Sequence, residues 1–218
     1  MDAFVPKYQG HPWPSGTGVL HVYALPRPGA DDDFLDITRA CRPVMGDYPI
    51  TPQYPNSEGD AGLLHLTLEM LADAPTTAYN PPALRQLTDA LEQQLADVEP
   101  ITTMAGPPIG NRAGIVIDVW PDEDIIALTD KIRTAIRQTR GDTALRHSGG
   151  RPHISLGYAH AAASSDPLNS RLRAITPRRA PLHIDRVHLL DVTWTLDGHG
   201  GWRMSWTPIA EIPLGTHR

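Results

Sequence analysis

The sequence lacks the features that mark secreted and membrane proteins. It has a single cysteine, Cys41, in 218 residues. One thiol excludes an internal disulfide framework and any cysteine-rich metal site. No apolar run approaches the ~18 residues a membrane helix needs. The first residues, MDAFVPKYQG, show no apolar stretch of the kind a secretion signal carries. These absences predict a cytoplasmic protein with no membrane partner. Net positive charge is missing as well: 19 basic against 25 acidic residues leave −6. Proteins that track long nucleic acid carry a basic footprint, so no such polymer is expected. His160, His183, His188 and His199 show neither HxH nor HExxH spacing, and the chain reads as needing no metal and no cofactor.

What charge there is lies unevenly. Residues 1–109 hold 5 basic and 14 acidic side chains, and residues 110–218 hold 14 and 11. Such asymmetry can turn one half toward an anion. The 22 prolines and 18 glycines gather in loops at 11–16, 25–29, 43–62 and 146–152. Between them, strands are predicted at Val19–Leu25, Leu63–Met70, Ile101–Ala105, Ala113–Trp120 and Pro152–His160. Two more are expected at Pro181–Leu196 and Gly201–Ile212, with DGHGG as their turn. Leu84, Leu87, Leu91 and Leu95 recur on one face of a helix over Pro81–Val98, and Ile125, Leu128, Ile132 and Ile136 on one face over Asp122–Arg140. Further helices are expected over Asp31–Arg42 and Asp166–Ile175. The series of strands and helices runs twice, which predicts an α+β fold of two similar lobes around a central cleft. It reads as one domain, 1–218, with pseudo-repeat halves at about 18–109 and 110–212.

One short pattern occurs at the same place in each half. Leu64-His65-Leu66-Thr67-Leu68 and Pro152-His153-Ile154-Ser155-Leu156 both read His, apolar, hydroxyl, apolar. On a strand, residues i and i+2 share a face. His65 with Thr67, and His153 with Ser155, therefore line one face, while the intervening aliphatics pack on the other. Two imidazoles meeting across a cleft suit phosphodiester chemistry. One takes a proton from the attacking oxygen and the other gives one to the leaving oxygen. Hydroxyls at Thr67 and Ser155 can donate hydrogen bonds to the non-bridging oxygens, where charge sits in the transition state.

The pair HLTL (65–68) and HISL (153–156), about ninety residues apart, resembles the signature of the two-histidine phosphoesterase superfamily, and within it the bacterial 2′,5′ RNA ligase and cyclic phosphodiesterase group. The resemblance implies a metal-independent phosphoesterase with His65 and His153 as the catalytic pair and Thr67 and Ser155 holding the phosphate. Its substrate would be a small cyclic or 2′,5′-linked nucleotide, or an RNA end. Ser155 stands where many members have Thr. Tyr158 stands where some ligases have a basic residue. Strict alternation turns Tyr158 away from His153, and it reaches the cleft as a substrate-binding residue only if Gly157 marks a bulge.

Other residues carry weaker signals. Arg151 shares the face of His153 if the strand starts early. Arg171, Arg173, Arg178, Arg179 and Arg186 make the second half positive. Tyr23 and Trp13 can stack a base or simply pack. Cys41 reads as inert, and the chain as a monomer. The alternatives are a non-catalytic nucleotide or RNA-end binding module using the same cleft, and a metal-dependent hydrolase built on the scattered His, Asp and Glu.

Overall fold

The computed structural model describes residues 1–53, 61–146, 150–198 and 200–215. The N-terminal segment forms a small hairpin of β1 (Lys7–Tyr8) and β2 (His11–Pro12). A single antiparallel sheet follows: β3 (Gly18–Ala24), β4 (Ile50–Pro52), β5 (Leu66–Met70), β6 (Ile101–Gly110), β7 (Gly114–Trp120), β8 (His153–Ala159), β9 (Ala180–Ile184), β10 (Arg186–Leu196) and β11 (Trp202–Pro213). Its spatial order is β11-β10-β3-β5-β8-β7-β6-β9, with β4 also paired to β8. The helices are α1 (Asp32–Met45), α2 (Pro81–Leu95), α3 (Glu123–Arg140) and α4 (Asp166–Leu172). This is the α+β, two-lobed architecture that the order of elements predicts. The lobes meet at a narrow seam, where β5 and β8 share one pair, Leu66 with Ile154.

Side-chain alternation decides what faces where. The even residues Leu20 and Val22 of β3 join the main core, as do Leu66 and Leu68 of β5, Ile154 and Leu156 of β8, and Ile115, Ile117 and Val119 of β7. The leucines of α2 and isoleucines of α3 close that core on the helix side. The opposite face must then carry His21 and Tyr23, Thr67, His153 and Ser155, and Asp118 and Trp120. On the first lobe this face is floored by a second cluster that includes Tyr8, Trp13, Tyr23 and Trp194. No helix among the described residues is long and apolar enough to cross a membrane.

Several boundaries differ from the sequence expectation. The strand expected at Pro181–Leu196 is two strands toward opposite ends of the sheet. β9 pairs with β6, the chain crosses at Asp185, and β10 pairs with β3. Asp185 holds the crossing through ion pairs with Arg27 at 2.7 Å and Arg186 at 3.0 Å. β6 runs on to Gly110 across a bulge that takes up Gly106 and Pro107, after which Pro108 pairs with Ile117. α1 continues past Pro43 to bury Met45. Ile50–Pro52, within a predicted loop, adds a short strand beside β8. Residues 54–60, 147–149 and 199 of the predicted loops and turn lie outside the described residues.

Candidate active site

The pairing of Leu66 with Ile154 fixes the site. In the same antiparallel register, His65 lies opposite Ser155 and Thr67 opposite His153, and opposite residues share a face. The four polar side chains therefore form a square with the imidazoles on one diagonal and the hydroxyls on the other. Diagonal neighbours of this kind sit roughly 7–8 Å apart, which leaves room for a phosphate between the two rings.

Both imidazoles are held alike. His65 Nδ1 lies 2.7 Å from the carbonyl oxygen of Leu63, and His153 Nδ1 lies 2.8 Å from that of Arg151. A carbonyl only accepts, so each Nδ1 carries the proton and donates it. In the neutral ring, Nε2 is left as a lone pair. The surroundings differ. His65 is buried and His153 is exposed. Burial pushes the His65 pKa down to about 4; the nearby His153 adds to this and the Leu63 carbonyl opposes it.

Two phenols back the two hydroxyls. Tyr23 lies opposite Thr67 in the register, and its ring stacks on His65 at 4.2 Å and 17°. Its hydroxyl lies near Thr67, and the Tyr158 hydroxyl near Ser155. Burial raises both phenol pKa values, with Tyr158 adding to the rise at Tyr23. Both phenols therefore keep their protons at physiological pH. Tyr158 does reach this face. The β7–β8 register slips between Ile115 and Val116, which pair with Gly157 and Ser155, so Leu156 is the extra residue of a bulge. Only glycine fits beyond it: a Cβ at Gly157 would stand 2.5 Å from Met45 Cε and 2.6 Å from Ile50 Cγ2.

A cavity of about 320 Å³ opens beside this square on the first lobe, lined by Phe4, Trp13, His21, Tyr23, His65, Thr67, Tyr158 and Trp194 among others. A second, of about 200 Å³, lies on the other side of Thr67, between Pro152 and the Glu69–Arg133 ion pair.

The remaining sequence candidates separate. Tyr23 is part of the site, while Trp13 packs against Tyr8 and His21. Arg151 is 70% exposed and donates to Asp118 at 3.0 Å. Arg171 pairs with Asp47, and Arg186 with Asp185 and Glu211. His183 is held by the buried Asp31 at 3.0 Å, away from the cleft. Cys41 is buried, which pushes its thiol up to about 12. Among the described residues, no group of three His, Cys, Asp or Glu side chains could hold a metal ion. Sequence reading missed Trp206, whose ring meets both Tyr23 and His65 edge-on at 5.8 Å. It also missed Asp118, directly opposite His153. An aspartate inside the apolar run GIVIDVW was the available signal for Asp118; nothing local marked Trp206.

The fold is a two-lobed α+β architecture with the paired motif at its seam. Residues 18–193 match the 2′-5′ RNA ligase superfamily, and the chain belongs to it. No curated protein matches the sequence. Among solved structures, TT0787 of Thermus thermophilus is similar with a TM-score of 0.61 at 19% identity, covering 92% of this chain and 100% of that one. A structure described as a phosphoesterase gives 0.57 at 15%, covering 90% and 98%. Escherichia coli LigT complexed with NADP+ gives 0.54 at 15%, covering 91% and 99%. At these identities the likeness is one of fold.

Proposed function

We propose that this chain is a metal-independent phosphoesterase that hydrolyses, or reversibly ligates, cyclic or 2′,5′-linked phosphodiesters of small nucleotides or RNA ends. The observation that carries the reading is the square of His65, Thr67, His153 and Ser155 across the seam, with both imidazoles in the same tautomer. In hydrolysis of a cyclic phosphate, His65 Nε2 takes a proton from water as its oxygen bonds to phosphorus. The opposite phosphorus–oxygen bond breaks, and protonated His153 gives its Nε2 proton to the leaving oxygen. Burial favours this assignment, because it keeps His65 neutral and ready to accept. His153 lies at the surface, open to solvent. Thr67 and Ser155 donate to the non-bridging oxygens. E. coli LigT, similar in fold, is solved complexed with 3′-AMP and with phosphate, which supports a phosphate-bearing ligand for this chain.

The test is turnover of nucleoside 2′,3′-cyclic monophosphates and of 2′,5′-linked dinucleotides in excess EDTA. His65→Ala and His153→Ala should each lower kcat by about 10²–10⁴-fold without unfolding the protein. Full activity in either variant, or loss of wild-type activity in EDTA restored by zinc or manganese, refutes the mechanism. Tight nucleotide binding with no turnover favours the binding-module alternative.

A further inference from the structure

The first lobe packs most of its aromatic rings against one another; the second leaves one open. Trp120, the last residue of β7, is 62% exposed. It shares its face with Asp118, two residues earlier, and Asp118 lies opposite His153. Trp120 also pairs across to Met104 of β6, and Val116 of the same face pairs to Ile109. Met104 and Ile109 are exposed too. Six large apolar side chains are exposed among the described residues, and three of them are thus Trp120, Met104 and Ile109. A fourth, Ile126, lines the cavity between Thr67 and Pro152. Exposed apolar surface concentrated beside one half of a polar site marks a binding surface.

The charge around it selects the ligand. Exposed Arg151 flanks His153. The backbone of Arg178 and Arg179 crosses against Gly106 of β6, so two further exposed arginines border the same lobe. The chain after Trp120 is acidic: Asp122, Glu123 and Asp124. Arg151 is shared with Asp118 at 3.0 Å, and with Asp118 before Trp120 and the acids after it an anion is opposed there, whereas an uncharged planar group on Trp120 meets no such opposition. An exposed indole beside a phosphate site is the arrangement that stacks a base. One residue pair along a strand and one strand across place Trp120 roughly 8 Å from His153, Cα to Cα, within the span of one nucleoside.

We propose that Trp120 is the stacking platform for a second nucleobase, on the His153 side of the scissile phosphate. The preferred substrate class is then a phosphodiester with a nucleoside on each side, or an RNA end at least two nucleotides long, rather than a cyclic mononucleotide. The inference rests on the phosphoesterase reading for its phosphate position.

The experiment compares kcat/KM for 2′,5′-linked adenylyl-adenosine with that for adenosine 2′,3′-cyclic phosphate. The ratio of the two should fall at least about tenfold in Trp120→Ala, stay within about twofold in Trp120→Phe, and not move in Leu196→Ala, another exposed apolar site. An unchanged ratio in Trp120→Ala overturns the proposal. If the wild type turns over neither substrate, the phosphoesterase reading fails by itself. Calorimetric affinities for adenylyl-adenosine and adenosine 2′-phosphate, wild type against Trp120→Ala, then decide the platform on the same tenfold criterion. A change in sedimentation of Trp120→Ala with no change in nucleotide affinity assigns the surface to a protein contact and overturns it as well.

Discussion

Tyr23 covers the imidazole of His65 face to face, with ring centroids 4.2 Å apart and planes at 17°, while its own position in the register is opposite Thr67. One side chain thus touches the imidazole and the hydroxyl of the first motif. The stack excludes water from one face of His65 and fixes the ring plane.

Tyr23→Phe keeps the stack and removes only the hydroxyl beside Thr67. We expect kcat to fall by about twofold to tenfold, the value of one hydrogen bond, with KM little changed. Tyr23→Leu removes the ring as well. Water then reaches His65, and its pKa rises toward the ordinary 6.5. An NMR titration of the His65 ring protons separates the two effects. A His65 midpoint that stays put in Tyr23→Leu would contradict the shielding role.

The lowered pKa of His65 has a definite sign in stability. The unfolded chain binds a proton at His65 below about pH 6.5, while the folded chain does so only near pH 4. Between these values the unfolded state holds more protons, so stability is intact above pH 6.5 and is lost as pH falls toward 4. His188, lowered chiefly by burial, adds to the same slope. Denaturant unfolding at pH 7.5, 6, 5 and 4.5 should show a shallower decline for His65→Gln than for the wild type. For the same reason the acid limb of kcat/KM should lie near pH 4 rather than 6.5.

Glu69 is 2% exposed and is neutralised by Arg133 of α3, which ties the first motif strand to the helix behind it. Burial raises the Glu69 pKa against the pull of Arg133. Arg133→Met leaves that carboxylate without its cation and should cost about 3 kcal/mol. The double variant Glu69→Leu/Arg133→Met should recover most of the loss in thermal unfolding, because no unpaired charge remains. Equal instability of single and double variants would assign the cost to packing instead.

Gly157→Ala tests the bulge. The new methyl would meet Met45, Ile50 and the Thr51 carbonyl oxygen, the last at 2.9 Å. Overpacking of this order costs about 1–3 kcal/mol. Because Tyr158 is aimed by the bulge, Gly157→Ala should lower kcat as well as Tm. Full activity with lowered Tm would show that Tyr158 does not depend on it.

Much of the site was legible because strand periodicity is a local property. His65 with Thr67 and His153 with Ser155 share faces by alternation alone, and Leu66 and Ile154 between them turn to the core for the same reason. Likewise the leucines of α2 and isoleucines of α3 announced their buried faces. Tyr158 was legible only conditionally, since alternation turns it away and a register slip turns it back.

By itself, the sequence determined the class of elements, the paired motif and the chemistry those residue types allow. It left the two imidazoles indistinguishable. Only the tertiary structure made them unequal. The β5–β8 register puts them on one diagonal, and Tyr23 and Trp206 bury one ring while the other stays in solvent. The jump from β9 to β10 likewise leaves no local mark, because both strands satisfy the same apolar alternation. What separates them is which strand each hydrogen-bonds, β6 for one and β3 for the other, and that is decided by partners distant in sequence.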